Sequence, residues 1–164
     1  MAGSGLTPER KKFLKDWTAA LLWIGVIAVE STEWLSSEHT SRFLYPILHF
    51  LLNLSPQAFE VFHHYLRKTG HFVGYFALSV FLFRAWRDTL HPAKVKVWAR
   101  RWAGSAFLMS VLVASLDEWH QTFLPSRTGR VADVVLDGTA ALTAQVVIFL
   151  WLRLRRGGRN AGLS

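Results

Sequence analysis

The chain of 164 residues is 51% hydrophobic and 18% charged, carries eight tryptophans and no cysteine, and has a formal net charge of +8. So apolar a composition at this length argues against a soluble globular domain and for a helical membrane protein, and the lack of cysteine excludes disulfides, thiolate zinc sites, cysteine nucleophiles and a lipidated cysteine. The basic residues do not read as a nucleic-acid footprint, because Arg10 to Lys15, Arg84 to Arg101 and Arg153 to Arg159 each flank an apolar run, as topogenic charge does.

Residues 1–15 read as a polar, basic cytoplasmic tail, mostly without fixed structure. The apolar stretch Trp17 to Val29 behind it resembles a signal peptide, but no A-x-A site follows and more apolar runs come soon, so a retained anchor is expected, with a first spanning helix at about 16–35. Glu30 and Glu33 share a face near its end, where they are expected to meet water at the interface. From Ser36 to Arg67 the apolar pieces are too short to cross a bilayer and are punctuated by Pro46 and Pro56. They read as interfacial helices at about 43–54 and 56–67, the second capped by Ser55 with Pro56 at its first position, and with Phe59, Phe62 and Leu66 on one face. His39, His49, His63 and His64 are irregularly spaced and read as interfacial polarity without a ligand role.

A second spanning helix is expected at about 68–87, where Lys68, His71 and Tyr75 form a stripe and Gly70 and Gly74 form a G-x-x-x-G pair that would admit a close helix. A basic connection containing Arg84, Arg87, Lys94, Lys96, Arg100 and Arg101 leads to a third helix at about 98–120. A fourth, at about 131–152, precedes a basic tail, 154–164. The amino-terminal tail, this connection and the carboxy-terminal tail hold 4, 6 and 4 of the 19 lysines and arginines. The positive-inside rule then places both termini in the cytoplasm and gathers the start of the second helix, the end of the third and the start of the fourth at the outer face. The expected fold is all-α, an integral membrane bundle of four transmembrane helices forming one domain over residues 16–153, with short interfacial helices in the first outer loop.

That outer end carries the densest polar motif, Asp117-Glu118-Trp119-His120-Gln121, followed by Pro125, Ser126, Arg127, Arg130, Asp133 and Asp137. Asp117 and Gln121 lie four apart on one helical face, as do Asp133 and Asp137. Ionisable groups closing an apolar run mark a functional-site candidate, here Lys68, His71, Asp117, Glu118, His120, Gln121, Arg127, Arg130, Asp133 and Asp137. Three cations, Lys68, Arg127 and Arg130, nearly balance four carboxylates, as a network locking helix ends would need. The same residues permit binding of a lipid phosphate or carboxylate at Arg127 and Arg130 before a helix start. They also permit catalysis with His71 or His120 as a base beside Asp117 or Glu118, and the carboxylates with His120 could hold a divalent ion. No metalloprotease, P-loop or G-x-S-x-G pattern is present, and Ser126 lacks a nucleophile's context. No metal or cofactor is assigned.

Residues 67–78, with Lys68, His71, Phe72, Tyr75 and Leu78 in K-x-x-H-F-x-x-Y-x-x-L, and residues 117–127 in D-E-x-x-Q-x-F-x-P-x-R, resemble the VanZ-like family of small bacterial membrane proteins. Ser126 replaces a usual glycine, Asp137 a frequent asparagine, and Ala140 and Ala144 stand where the fourth helix often carries glycines. The resemblance implies a multi-pass protein of the bacterial cytoplasmic membrane with an envelope role in lowering sensitivity to glycopeptides of the teicoplanin type. Expected partners are the lipid bilayer and an anionic lipid or lipid-linked wall precursor, bound or shielded at the outer face, and no nucleic acid. A membrane enzyme modifying such a lipid and a structural subunit of a membrane complex are the alternatives.

Overall fold

The structure, a computed structural model, describes residues 6–90, 98–125 and 127–161, apart from the side chains of Glu38 and of residues 156–161. Lys94, Lys96 and Ser126, and the two ends of the chain, lie outside the described residues. Among the described residues there are five α-helices, one 3-10 turn at Glu33–Leu35 and no strand.

Helix α1, Pro8–Glu30, takes in much of the basic segment expected to be unstructured. Thr7 caps it by accepting from the Arg10 N–H at 3.3 Å, and proline is suited to the first turn that follows. The deeper reason is Asp16, 2% exposed, which receives Arg84 Nη2 at 2.7 Å and lies 3.6 Å from Lys12 Nζ. Lys12 also pairs with Asp88, and Trp17 donates to Thr89 Oγ1 at 2.9 Å. Ordering the tail thus satisfies a buried carboxylate. The helix stops at Glu30, short of residue 35, and the 3-10 turn takes up the remainder.

Helix α2, Ser37–Leu52, starts earlier than position 43 because Ser36 is its cap, accepting from His39 N–H at 3.3 Å. It runs through Pro46 and ends at Asn53, whose left-handed backbone (φ 49°, ψ 38°) is a conformation asparagine tolerates. Helix α3, Pro56–Leu90, joins the expected interfacial helix 56–67 and the span 68–87 into one rod of 35 residues. Gly70 alone does not break it, and at 1.5 Å per residue its length of about 50 Å exceeds a hydrocarbon core of about 30 Å. Helix α4 is Arg100–Gln121. Helix α5, Val131–Ala161, continues past 152 into the expected tail.

Helix α3 packs against α1, α4 and α5, and α4 packs against α5, while α2 meets the start of α3 and the 3-10 turn. Ala106, Ala114, Ala140, Ala141 and Ala144 are fully buried, so small residues let the backbones approach. Gln145 Nε2 donates to Ser79 Oγ at 2.7 Å, and Ser79 donates to the Ala141 carbonyl at 2.9 Å, which ties α3 to α5 by hydrogen bonds inside the bundle. The expected close approach at Gly70 and Gly74 does not occur: a Cβ at either would meet nothing within 4 Å. Instead the Gly74 carbonyl accepts from Trp23 Nε1 at 2.8 Å, so a large side chain of α1 fills the distance.

The outer surface is apolar along the helix lengths, with Leu21, Leu22 and Val26 on α1, Leu108, Leu112 and Leu116 on α4, and Leu142, Val146 and Leu150 on α5 all exposed. Several polar groups point inward. Among the described residues one segment, Val131–Arg155, with 25 residues and a mean hydropathy of 1.7, is long and apolar enough by itself to cross a membrane. Helices α1, α3 and α4 carry groups such as Asp16, His71 and Glu118 within their length.

Candidate functional site

The α4–α5 connection folds back on the end of α4, and Gly129 is the reason it can. A Cβ there would lie 2.2 Å from the Glu118 carbonyl oxygen and 2.7 Å from Thr122 Cγ2. This approach presents the Arg130 N–H to Glu118 Oε2 at 2.7 Å, so a carboxylate of α4 caps a free donor just ahead of α5. Asp133 follows in the first turn of α5, where the helix dipole favours an acid, and pairs with Lys68 of α3. Three helices meet through these contacts.

Deeper in, Asp117 is buried and its Oδ2 faces Tyr75 OH at 3.4 Å and Gln121 Nε2 at 3.2 Å. His71 stacks on Tyr75 with ring centroids 6.4 Å apart and planes 17° apart, and its Nδ1 lies 3.6 Å from Asp137 Oδ2. Asp137 is fully buried, and neither of its oxygens has a hydrogen-bond partner. One ligand atom each from His71, Glu118 and Asp137 lie within 4.8 Å of one another. Those three are the described residues able to hold a metal.

Arg127 is placed differently from the expectation of a cation balancing the carboxylates. Its Nη2 donates to the Glu30 carbonyl at 2.7 Å and the Thr32 carbonyl at 3.0 Å, capping the carbonyl end of α1. Arg127 is 9% exposed, and its Nε and Nη1 are buried without partners. Burial first, then the nearby Arg67, pushes it below the usual arginine range, which still leaves a cation at physiological pH. Among the described residues no ion pair joins Asp117 or Glu118 to a cation, so the near-balance counted along the chain does not translate into local pairing. Arg130 has an exposed side chain, and so has His120.

Between these groups is a polar cavity of about 230 Å³, lined by Arg67, Lys68, His71, Glu118, Arg127 and Asp133 among others. Arg67 and His71 also line a second, largely apolar cavity of about 450 Å³, whose walls include Leu35, Phe43, Leu44, Ile47 and Leu66. Arg67 and Thr128 were not singled out from the sequence, and His64, read there as without a ligand role, lines the polar cavity. Arg67 had a signal available, since it directly precedes Lys68 on a helix whose next turn carries His71. Glu30, expected to face water, has an exposed side chain and also lines the apolar cavity. Of the histidines read as ligand-free, His63 is buried with Nε2 3.1 Å from Thr40 Oγ1, and His49 Nδ1 lies 2.8 Å from the Leu54 carbonyl.

The model of the VanZ/LLP1 family matches residues 17–153. No curated protein and no solved structure matches the chain. The match covers most of the sequence, and the chain belongs to the VanZ/LLP1 family.

Proposed function

We propose that this member of the VanZ/LLP1 family is a four-span protein of the bacterial cytoplasmic membrane that binds or shields an anionic amphiphile of the outer leaflet, such as a lipid-linked wall precursor, and thereby lowers sensitivity to glycopeptides. The observation that carries the reading is the junction of the two cavities at Arg67 and His71. A small polar chamber, with Arg67, Lys68 and Arg127 in its walls, shares two lining residues with a larger apolar one, which is the division an amphiphile's head and chain require. Arg127 adds two buried guanidinium donors without partners, groups that cost free energy until an acceptor meets them.

The membrane arrangement is supported by the apolar outer faces of α1, α4 and α5, since exposed apolar surface on this scale is rare on a soluble monomer. Each of α1, α3, α4 and α5 has 22 residues or more, above the roughly 20 that span a bilayer. With the basic clusters inside, α1 and α4 run outward and α3 and α5 return, which brings the polar chamber to the outer boundary. Binding is preferred to catalysis because His120, one of the two imidazoles expected to serve as a base, has an exposed side chain.

The test is mass spectrometry of lipids co-purifying with the wild-type chain, Arg127→Lys and His120→Ala. An anionic lipid enriched with wild type and His120→Ala, and reduced several-fold in Arg127→Lys, is the expected result, because lysine keeps the charge and loses the planar fork. No enrichment of any anionic lipid refutes the reading. Conversion of the enriched lipid on incubation with wild type would replace binding with an enzymatic role.

A further inference from the structure

We propose that His71, Glu118 and Asp137 form a binding site for a divalent cation of the zinc or manganese class. The first observation is convergence: an imidazole from α3, a carboxylate from α4 and a carboxylate from α5 bring ligand atoms within 4.8 Å of one another. A single ion bonded to nitrogen and oxygen at roughly 2.0–2.2 Å would draw them together by small side-chain rotations.

The second observation is independent of that clustering. Asp137 has no exposed surface and no hydrogen bond to either oxygen. Its nearest cationic group, His71 Nδ1, stands at 3.6 Å, beyond a hydrogen bond. A buried carboxylate in that state is costly unless something positive completes it. Among the described residues no lysine or arginine pairs with Asp137: Lys68 pairs with Asp133, Arg67 Nη1 donates to the Leu35 carbonyl at 3.0 Å, and Arg127 is held through Nη2 by the carbonyls of α1. Asp117 is served by the neutral donors of Tyr75 and Gln121. Three buried carboxylates therefore surround one imidazole, and a 2+ ion supplies the missing charge.

The donor set selects the ion. One imidazole with two carboxylates and no thiolate suits zinc or manganese and disfavours copper(I), which prefers sulfur, while calcium would take six or more oxygens. Glu118 has its Oε2 held by the Arg130 N–H, which orients the carboxylate as an outer partner orients a ligand in metal sites. The inference does not depend on a lipid being bound, and its test contains none.

The full chain, untagged and stripped of metal in detergent, is dialysed against zinc, manganese, magnesium or calcium, and bound metal is counted. One zinc or manganese per chain is expected for wild type and for His120→Ala, and binding at least about tenfold weaker for Asp137→Asn and His71→Gln. Circular dichroism confirms that the variants fold. A readout on wild type alone guards against a misfolded variant: bound manganese should show magnetic coupling to one imidazole nitrogen. No stoichiometric zinc or manganese, unchanged binding in folded Asp137→Asn, or manganese without nitrogen coupling would each overturn the proposal. So would an Asp137→Asn chain more stable than metal-free wild type with neither binding metal, which would mark Asp137 as a neutral acid.

Discussion

Gly129→Ala should disable the outer end of the bundle without touching any charged group. The new methyl would sit 2.2 Å from the Glu118 carbonyl oxygen and 2.7 Å from Thr122 Cγ2. Threonine can rotate, but a helix carbonyl cannot, so the loop must lift by about 1 Å to reach ordinary van der Waals separation. Overpacking of this kind costs about 1–3 kcal/mol. Lifting also stretches the 2.7 Å bond from the Arg130 N–H to Glu118, a charge-assisted contact contributing about 1.5–3 kcal/mol. The expected loss is about 2–4 kcal/mol, because relief of the clash and loss of the bond are partly the same movement. Gly138→Ala is the matched control: its Cβ would meet Val111 Cγ2 at 3.6 Å, an ordinary contact, and removing a helix glycine stabilises by up to about 1 kcal/mol. Both variants would be followed by thermal unfolding in detergent with circular dichroism. Equal midpoints for Gly129→Ala and wild type, or a greater loss in Gly138→Ala, would refute the close-approach argument.

Asp16→Asn should destabilise by about 1–3 kcal/mol, less than a fully buried pair would, because the orphaned Lys12 and Arg84 are partly exposed and can rehydrate; an unchanged midpoint would show that the tail folds for another reason. Burial, and then the charge of Arg67, lowers the pKa of His63. The folded state therefore favours neutral His63, whose contribution is full above its unfolded value of about 6.5 and lost as pH falls below it. The His63 contribution should fall as pH drops through about 6.5 toward its lowered folded value, and His63→Gln should flatten that dependence; an unaltered slope counts against it. Cysteines placed at Leu6, Thr128 and Arg155 and treated with an impermeant thiol reagent in intact cells should label at 128 alone, and labelling at 6 or 155 would invert the topology.

The helical periodicity and caps made the long helices legible, and the four-residue spacing of Asp117 and Gln121 placed both on one buried face, where they hydrogen-bond at 3.2 Å. His120 was misleading because it falls just outside the buried arc, and its side chain is exposed. At about 100° per residue, Asp117, Gln121 and Glu118 share an arc of about 100°, while His120 lies about 60° outside it on the Asp117 side and about 160° from Glu118. The helical tail was hidden because the partner of Asp16 stands 68 residues away at Arg84. The use of Arg127 was hidden similarly: counting charges cannot reveal that backbone carbonyls of Glu30 and Thr32 claim a guanidinium. The continuity of α3 was underestimated because Pro56, a good first residue, was followed by no true breaker.

The fastening of α1 at both ends imposes a schedule on synthesis. Its amino-terminal half is secured by Arg84, 68 residues after Asp16, and the carbonyl of Glu30 is secured by Arg127, 97 residues later. Helix α1 therefore waits for its clasps, with Asp16 facing only the Lys12 of its own helix until α3 arrives and with open terminal carbonyls until the chain has passed the end of α4. A nascent chain halted before residue 127 leaves that end unclasped, so the α4–α5 loop is the latch of α1.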